Sequence, residues 1–227
     1  MFNSKFNSLL TALLIIAIIA ILAIIGYFGY SIYNKYYLNA GAKDAVDAFE
    51  QAVGNQNTVT TPPTNELVQN VVIGGVSEGD SMYQNQTQNN NTSTTTYYGY
   101  EVVGTISIPA IDIEYPILGK PATDALKVAI VYLSGAGINQ VGNTVLQGHN
   151  YRNGLFFSNL SKLSVGDKIY ITDKTGTQVT YEVYRNFEAK ATDTSFYKRD
   201  TEGKREVTLS TCTNDNTVRT IILAREV

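Results

Sequence analysis

The 227-residue chain has one cysteine and one histidine. Cys212 ends the strand-like run "REVTLSTC", and His149 closes "GNTVLQGH". Arg219 opens the next run, "VRTIILAR", across the short turn "TNDNT". These residue types suit one chemistry. A thiolate is a nucleophile whose abundance is set by a nearby cation. An imidazole can take the thiol proton and later deliver it to a leaving amine. A guanidinium stays charged and offers a fixed fork of donors, fit to hold peptide carbonyls or to steady an oxyanion. Each residue also has a plainer reading: a buried strand cysteine, a satisfied histidine, a solvated arginine at a strand end. One His and one Cys cannot close a zinc site, and no carboxylate spacing completes one, so no metal and no cofactor is expected.

The elements that must position these residues read as short strands. "EVVGTISIPAIDIEYPIL" carries two alternating runs, 104–108 and 111–117, broken at Pro109. "ATDALKVAIVYL" has helical spacing with a possible N-cap at Thr123 or Asp124. "GNTVLQGH" is a strand ending at the histidine, and "LFFSNLSKL" an amphipathic turn or short helix. "GDKIYITD" and "QVTYEVYRNFEA" alternate cleanly around the turn "KTGT". The last two strands pair, which sets Cys212 and Arg219 at one end of a sheet. Eight or so short strands with few helices predict an all-β fold, a closed barrel with short helices.

Upstream, "LLTALLIIAIIAILAIIGYFGYSIY" is apolar up to Ile25 except for Thr11, and the first charge after it is Lys35. About 20 such residues cross a bilayer core of about 30 Å. The tyrosines that follow fit an interfacial belt. A cleaved signal peptide would have a shorter apolar core, and the small residues of "NAGA" lie well past this one. An uncleaved anchor is therefore expected, with an outward-facing domain on its C-terminal side. Lys35–Val53 reads as a solvated stalk helix. Residues 54 to about 97 are Asn-, Gln- and Thr-rich and nearly uncharged, and read as a flexible tether. The expected organisation is 1–33 tail and transmembrane anchor, 34–97 stalk and linker, and 98–227 the catalytic domain. A net charge of -3 without clustered Lys and Arg argues against nucleic acid. A lone cysteine cannot form an intramolecular disulfide.

"TLSTC" at Thr208–Cys212, with Arg219 beyond it and Gly148–His149 upstream, resembles the sortase signature, T-L-x-T-C followed by an arginine on the next strand. "GTISIPAIDIEYPI" and "LFFSNLSKLSVGDKIYI" resemble that family's opening strands and the segment after its histidine. The resemblance covers residues 98 to 227 and implies an eight-stranded sortase-type β-barrel. It implies a membrane-bound cysteine transpeptidase of Gram-positive-type bacteria acting on secreted proteins with an LPxTG-like C-terminal sorting motif. In that reading Cys212 forms a thioacyl-enzyme, His149 shuttles the proton and Arg219 binds substrate and steadies the oxyanion. The acceptor is an amine on a cell-wall precursor or a pilin. Thr211 matches a position that often lines the substrate site; the other reading packs it under the barrel. Arg225 shares a strand face with Arg219 by period two, but lies off the motif and reads as a solvated charge. Ser210 resembles class B members, whereas the short stretch between Phe187 and Val207 fits class A or D lengths. A membrane-anchored cysteine hydrolase with water as acceptor, and a non-catalytic tethered barrel, are the alternatives.

Overall fold

The computed structural model describes residues 4–56, 72–73, 94–215 and 217–227. Two compact units divide after Asn39. A single helix, α1 (Ser4–Gln56), starts in the first unit and ends in the second. Its sequence contains no proline. Its apolar window has a mean hydropathy of 3.1 and none of that window is buried, so this helix is long and apolar enough to cross a membrane.

The second unit is built around β1 (Val72–Ile73), β2 (Thr96–Tyr97), β3 (Tyr100–Ile108), β4 (Ile113–Leu118), β5 (Ile130–Gly135), β6 (Gly142–Gln147), β7 (Lys168–Asp173), β8 (Gln178–Lys190), β9 (Arg205–Cys212) and β10 (Val218–Glu226). The order β3-β4-β5-β6-β9-β10-β8-β7 closes through β3–β7 into an eight-stranded barrel. Closure leaves no free edge among these strands. Pairs β4–β5 and β6–β9 are parallel, and the other barrel pairs antiparallel. Strand β9 is buried on both faces from Glu206 to Thr211. Its sequence still alternates, Glu206-Val207-Thr208-Leu209-Ser210, because the second face is covered by polar partners: Thr208 bonds Arg199 and Asn143, and Ser210 bonds Tyr197.

The break at Pro109 is a 3-10 turn, Pro109–Ile111, with proline at its start, where the missing N–H costs no bond. Asp112 then turns back in the left-handed region (φ 53) to start β4. The segment from Ala122 to Leu133 differs from its helical spacing. Only Ala125–Lys127 forms a 3-10 turn, and the chain then enters β5, held by parallel pairing of Ile130 with Ile117. The β-branched Val128, Ile130 and Val131 favour the strand, and sheet pairing overrides a short helical pattern.

The stalk is not a solvated helix throughout. Ala45, Phe49 and Val53, at helical spacing, are buried against Tyr97, Val102, Leu118, Ala125, Ala129 and Val131. Burying such a face stabilises by about 25 cal/mol per Å². The proposed tether lies mostly outside the described residues, which omit 57–71 and 74–93. Both of its flanks, Val53 and Tyr97, sit in this one cluster.

Candidate active site

Strands β6, β9 and β10 bring the three chemistry-bearing residues together. In the β9–β10 ladder Arg219 lies directly opposite Cys212. Its Nη1 donates to Cys212 Sγ, which puts a fixed positive charge beside the sulfur. On the other side, parallel β6 ends with Gln147 opposite Ser210. The Gly148 N–H continues that ladder to the Ser210 carbonyl (3.3 Å). Extending the register to the following residues sets His149 alongside Cys212. All three side chains are half-buried, so the group is open on one side.

The residue before the histidine has to be small. A Cβ on Gly148 would come within 2.6 Å of Ile130 Cδ1 and 2.9 Å of the Phe157 ring. The glycine lets His149 leave β6 tight against the core. Thr211 Oγ1 donates to the Gly148 carbonyl (2.8 Å), and Thr211 is 1% exposed. The structure thus places Thr211 beneath the site, where it ties the cysteine strand to the histidine strand.

A second tie escaped the sequence reading. Asn150 Nδ2 donates to the Cys212 carbonyl (2.9 Å), and Arg152 Nη2 donates to the Asn214 carbonyl (3.0 Å). The segment after the histidine is therefore bonded to the segment after the cysteine. The only sequence signal was position, since both residues follow His149 within "GHNYR". Burial, and then the nearby Lys127 ammonium, push His149 below the usual imidazole range. Lys127 is itself ion-paired to Asp124 (2.7 Å). The imidazole is thereby favoured neutral, the form that can accept a proton.

Arg225 departs from its expectation as a solvated charge. Its Nε donates to Glu206 Oε1 (2.6 Å), and Glu206 is 1% exposed. It stands opposite Glu206 in the ladder as Arg219 stands opposite Cys212.

The Sortase domain model matches residues 106–227, more than half of the chain and all of the site. The chain belongs to the sortase family. Sortase A of Bacillus anthracis is 35% identical over 131 residues, covering 54% of this chain and 58% of that protein, so this sortase aligns to little more than half of that relative. Sortase A of Corynebacterium diphtheriae, solved as a lid mutant, is 32% identical over 56% of this chain and 70% of its own, with a TM-score of 0.51. A Clostridium perfringens sortase D5 transpeptidase is 30% identical over 56% of this chain and 79% of its own, also with a TM-score of 0.51. The A and D designations of these structures, at nearly equal similarity, single out no subclass for this sortase.

Proposed function

We propose that this sortase is a membrane-anchored cysteine transpeptidase whose catalytic domain faces outward. The observation that carries this is the guanidinium of Arg219 against the sulfur of Cys212, with His149 two residues past the end of the neighbouring strand β6. His149 takes the proton of the Cys212 thiol, and the thiolate so formed attacks the scissile carbonyl of an LPxTG-like sorting motif on a secreted protein. Charge moves onto the carbonyl oxygen, where the Arg219 fork supplies a donor. As the intermediate collapses, the C–N bond breaks and the His149 imidazolium protonates the leaving amine. The thioacyl-enzyme is then attacked by an amine of a cell-wall precursor or a pilin lysine. His149 takes the proton of that amine, the C–S bond breaks, and the thiolate is restored. Thr211 serves this chemistry from below, by keeping Gly148, and so His149, level with the cysteine.

The full chain in detergent micelles, incubated with a panel of sorting-motif peptides and an amine acceptor, is expected to give a ligated product. A methanethiosulfonate reagent is expected to label Cys212 and stop the reaction. Release of hydrolysed peptide at a rate indifferent to added amine would favour the hydrolase instead. A Cys212 that stays unlabelled in the folded chain would overturn both.

A further inference from the structure

A histidine that moves a proton in a thiol mechanism needs its ring held, commonly by a hydrogen-bonded third group. Among the described residues none hydrogen-bonds the His149 imidazole through a side chain. Its ring contact is with Tyr151, whose ring stacks at 4.9 Å between centroids and 29° between planes. Tyr151 is backed in turn. Its ring meets Phe156 at 5.7 Å, and Phe156 meets Tyr115 at 5.0 Å. Phe156 is fully buried and Tyr115 only 3% exposed. The backbone turns to make this possible. Asn150 and Phe156 form an antiparallel bridge, the Phe157 N–H donates to the His149 carbonyl (3.1 Å), and Phe156 takes a left-handed φ of 50. A ladder of rings thus runs from the barrel core to one face of the imidazole.

We propose that Tyr151 is the positioning residue for His149: the stack fixes the imidazole plane, and the electron-rich ring attracts the imidazolium when the proton is taken up. This rests on the transpeptidase reading for its catalytic meaning, but not for its test. Two forces oppose each other at this histidine. Burial and the Lys127 ammonium disfavour the charged ring, while the Tyr151 face favours it. The nearby charged and titratable groups are Cys212, alongside by strand register, its partner Arg219, and Asp124 as the ion-pair partner of Lys127.

His149 is the sole histidine, so a full chain carrying isotope-labelled histidine, in detergent micelles, gives one imidazole signal set by NMR. Nuclear Overhauser contacts are expected between that ring and the Tyr151 ring. In Tyr151→Leu the apolar cover remains but the π face is lost. The His149 midpoint is expected to move to lower pH, and its ring protons to lose their ring-current shift. Its kcat/KM is expected to fall about 2- to 5-fold, the worth of one exposed cation–π contact, with the acid limb displaced. Tyr151→Phe is expected to restore all of these. Absent contacts in the unaltered chain, or a Leu variant that titrates like the parent, would overturn the proposal. A Phe variant that behaves like Leu would do the same, because the hydroxyl would then be the working group. A parent chain that transfers nothing while the contacts and titration stand as expected would count against the reaction, not the stack.

Discussion

Glu206 and Cys212 occupy opposite ends of one face of β9, and each faces an arginine of β10, Arg225 and Arg219 respectively. At the Glu206 end the anion is enclosed. Its carboxylate accepts from Arg225 Nε (2.6 Å), Arg199 Nε (2.6 Å) and the Tyr184 hydroxyl (3.0 Å), and the residue is 1% exposed. Arg199 also donates to Thr208 Oγ1 (2.7 Å) and the Phe196 carbonyl (2.8 Å), which ties the β8–β9 connection to the strand. At the Cys212 end a single guanidinium meets the sulfur, and the side chains are half-exposed. The same ladder geometry therefore does two jobs. Where every lone pair is taken and water is excluded, the pair is structural. Where one side is left open, the sulfur can meet a carbonyl.

The sharpest way to break this contrast is to remove the acceptor at each end. Cys212→Ala is expected to lower transfer more than about 10⁴-fold, as loss of a nucleophile does. Its unfolding free energy is expected to stay within about 0.5 kcal/mol of the parent, because the thiol is half-exposed and anchors no charge network. Glu206→Gln is expected to do the reverse. It strands two partly buried guanidiniums and should cost about 3–5 kcal/mol, read by denaturant unfolding of the full chain in micelles. A Glu206→Gln chain as stable as the parent would erase the distinction between the ends.

The arginines give the next contrast. Lysine keeps the charge but not the fork. Arg219→Lys is expected to reduce kcat/KM by about 10²- to 10³-fold, the usual loss for one donor to a developing oxyanion. Arg225→Lys should instead lower stability by about 1–2 kcal/mol, since its two bonds to Glu206 become one. Steady-state kinetics and denaturation on both variants separate the roles. Equal kinetic losses would mean that Arg225 also reaches the substrate.

How legible these ends were in the sequence follows from what fixes them. Cys212, His149 and Arg219 could be picked out because they are singular in type or lie on a motif, and because adjacent strands β9 and β10 pair through a short turn. The enclosure of Arg225 and Glu206 could not, since hairpin register sets the two opposite each other but does not show that Arg199, from the β8–β9 connection, and Tyr184 fold over them. The Asn150 and Thr211 ties depend on the parallel β6–β9 register, and those strands lie far apart in sequence. Alternation made β3, β4, β7 and β8 legible, and β6, β9 and β10 read as short strand-like runs bounded by turns. In β5 the apolar residues have a spacing that serves helix and strand alike, and only pairing with β4 decides. The spacing of Ala45, Phe49 and Val53 was visible, but the surface they cover is assembled from β2, β3, β4 and the turn before β5.

Thr211→Val tests the tie below the open end. It deletes the donor to the Gly148 carbonyl at nearly constant shape. The expected cost is about 1–2 kcal/mol of stability, with a several-fold loss of kcat/KM as His149 drifts from the sulfur. Unfolding and kinetics of the one variant measure both. A stability loss with unaltered kinetics would show that Asn150 alone keeps the two strands level.

The smallest effect concerns pH. His149 is held below the ordinary imidazole range first by burial and then by Lys127. The folded chain therefore binds a proton there less readily than the unfolded chain does. Linkage then fixes the sign: the contribution is fully present above the unfolded-state pKa and is lost as pH falls through the folded one. Unfolding free energy should accordingly decline on acidification through the histidine range, and His149→Gln should flatten that slope. Lys127→Gln removes only the lesser cause. It should raise the His149 midpoint slightly and leave most of the slope, because burial, the larger cause, remains. If instead Lys127→Gln abolished the slope, charge rather than burial would be what keeps the open end neutral.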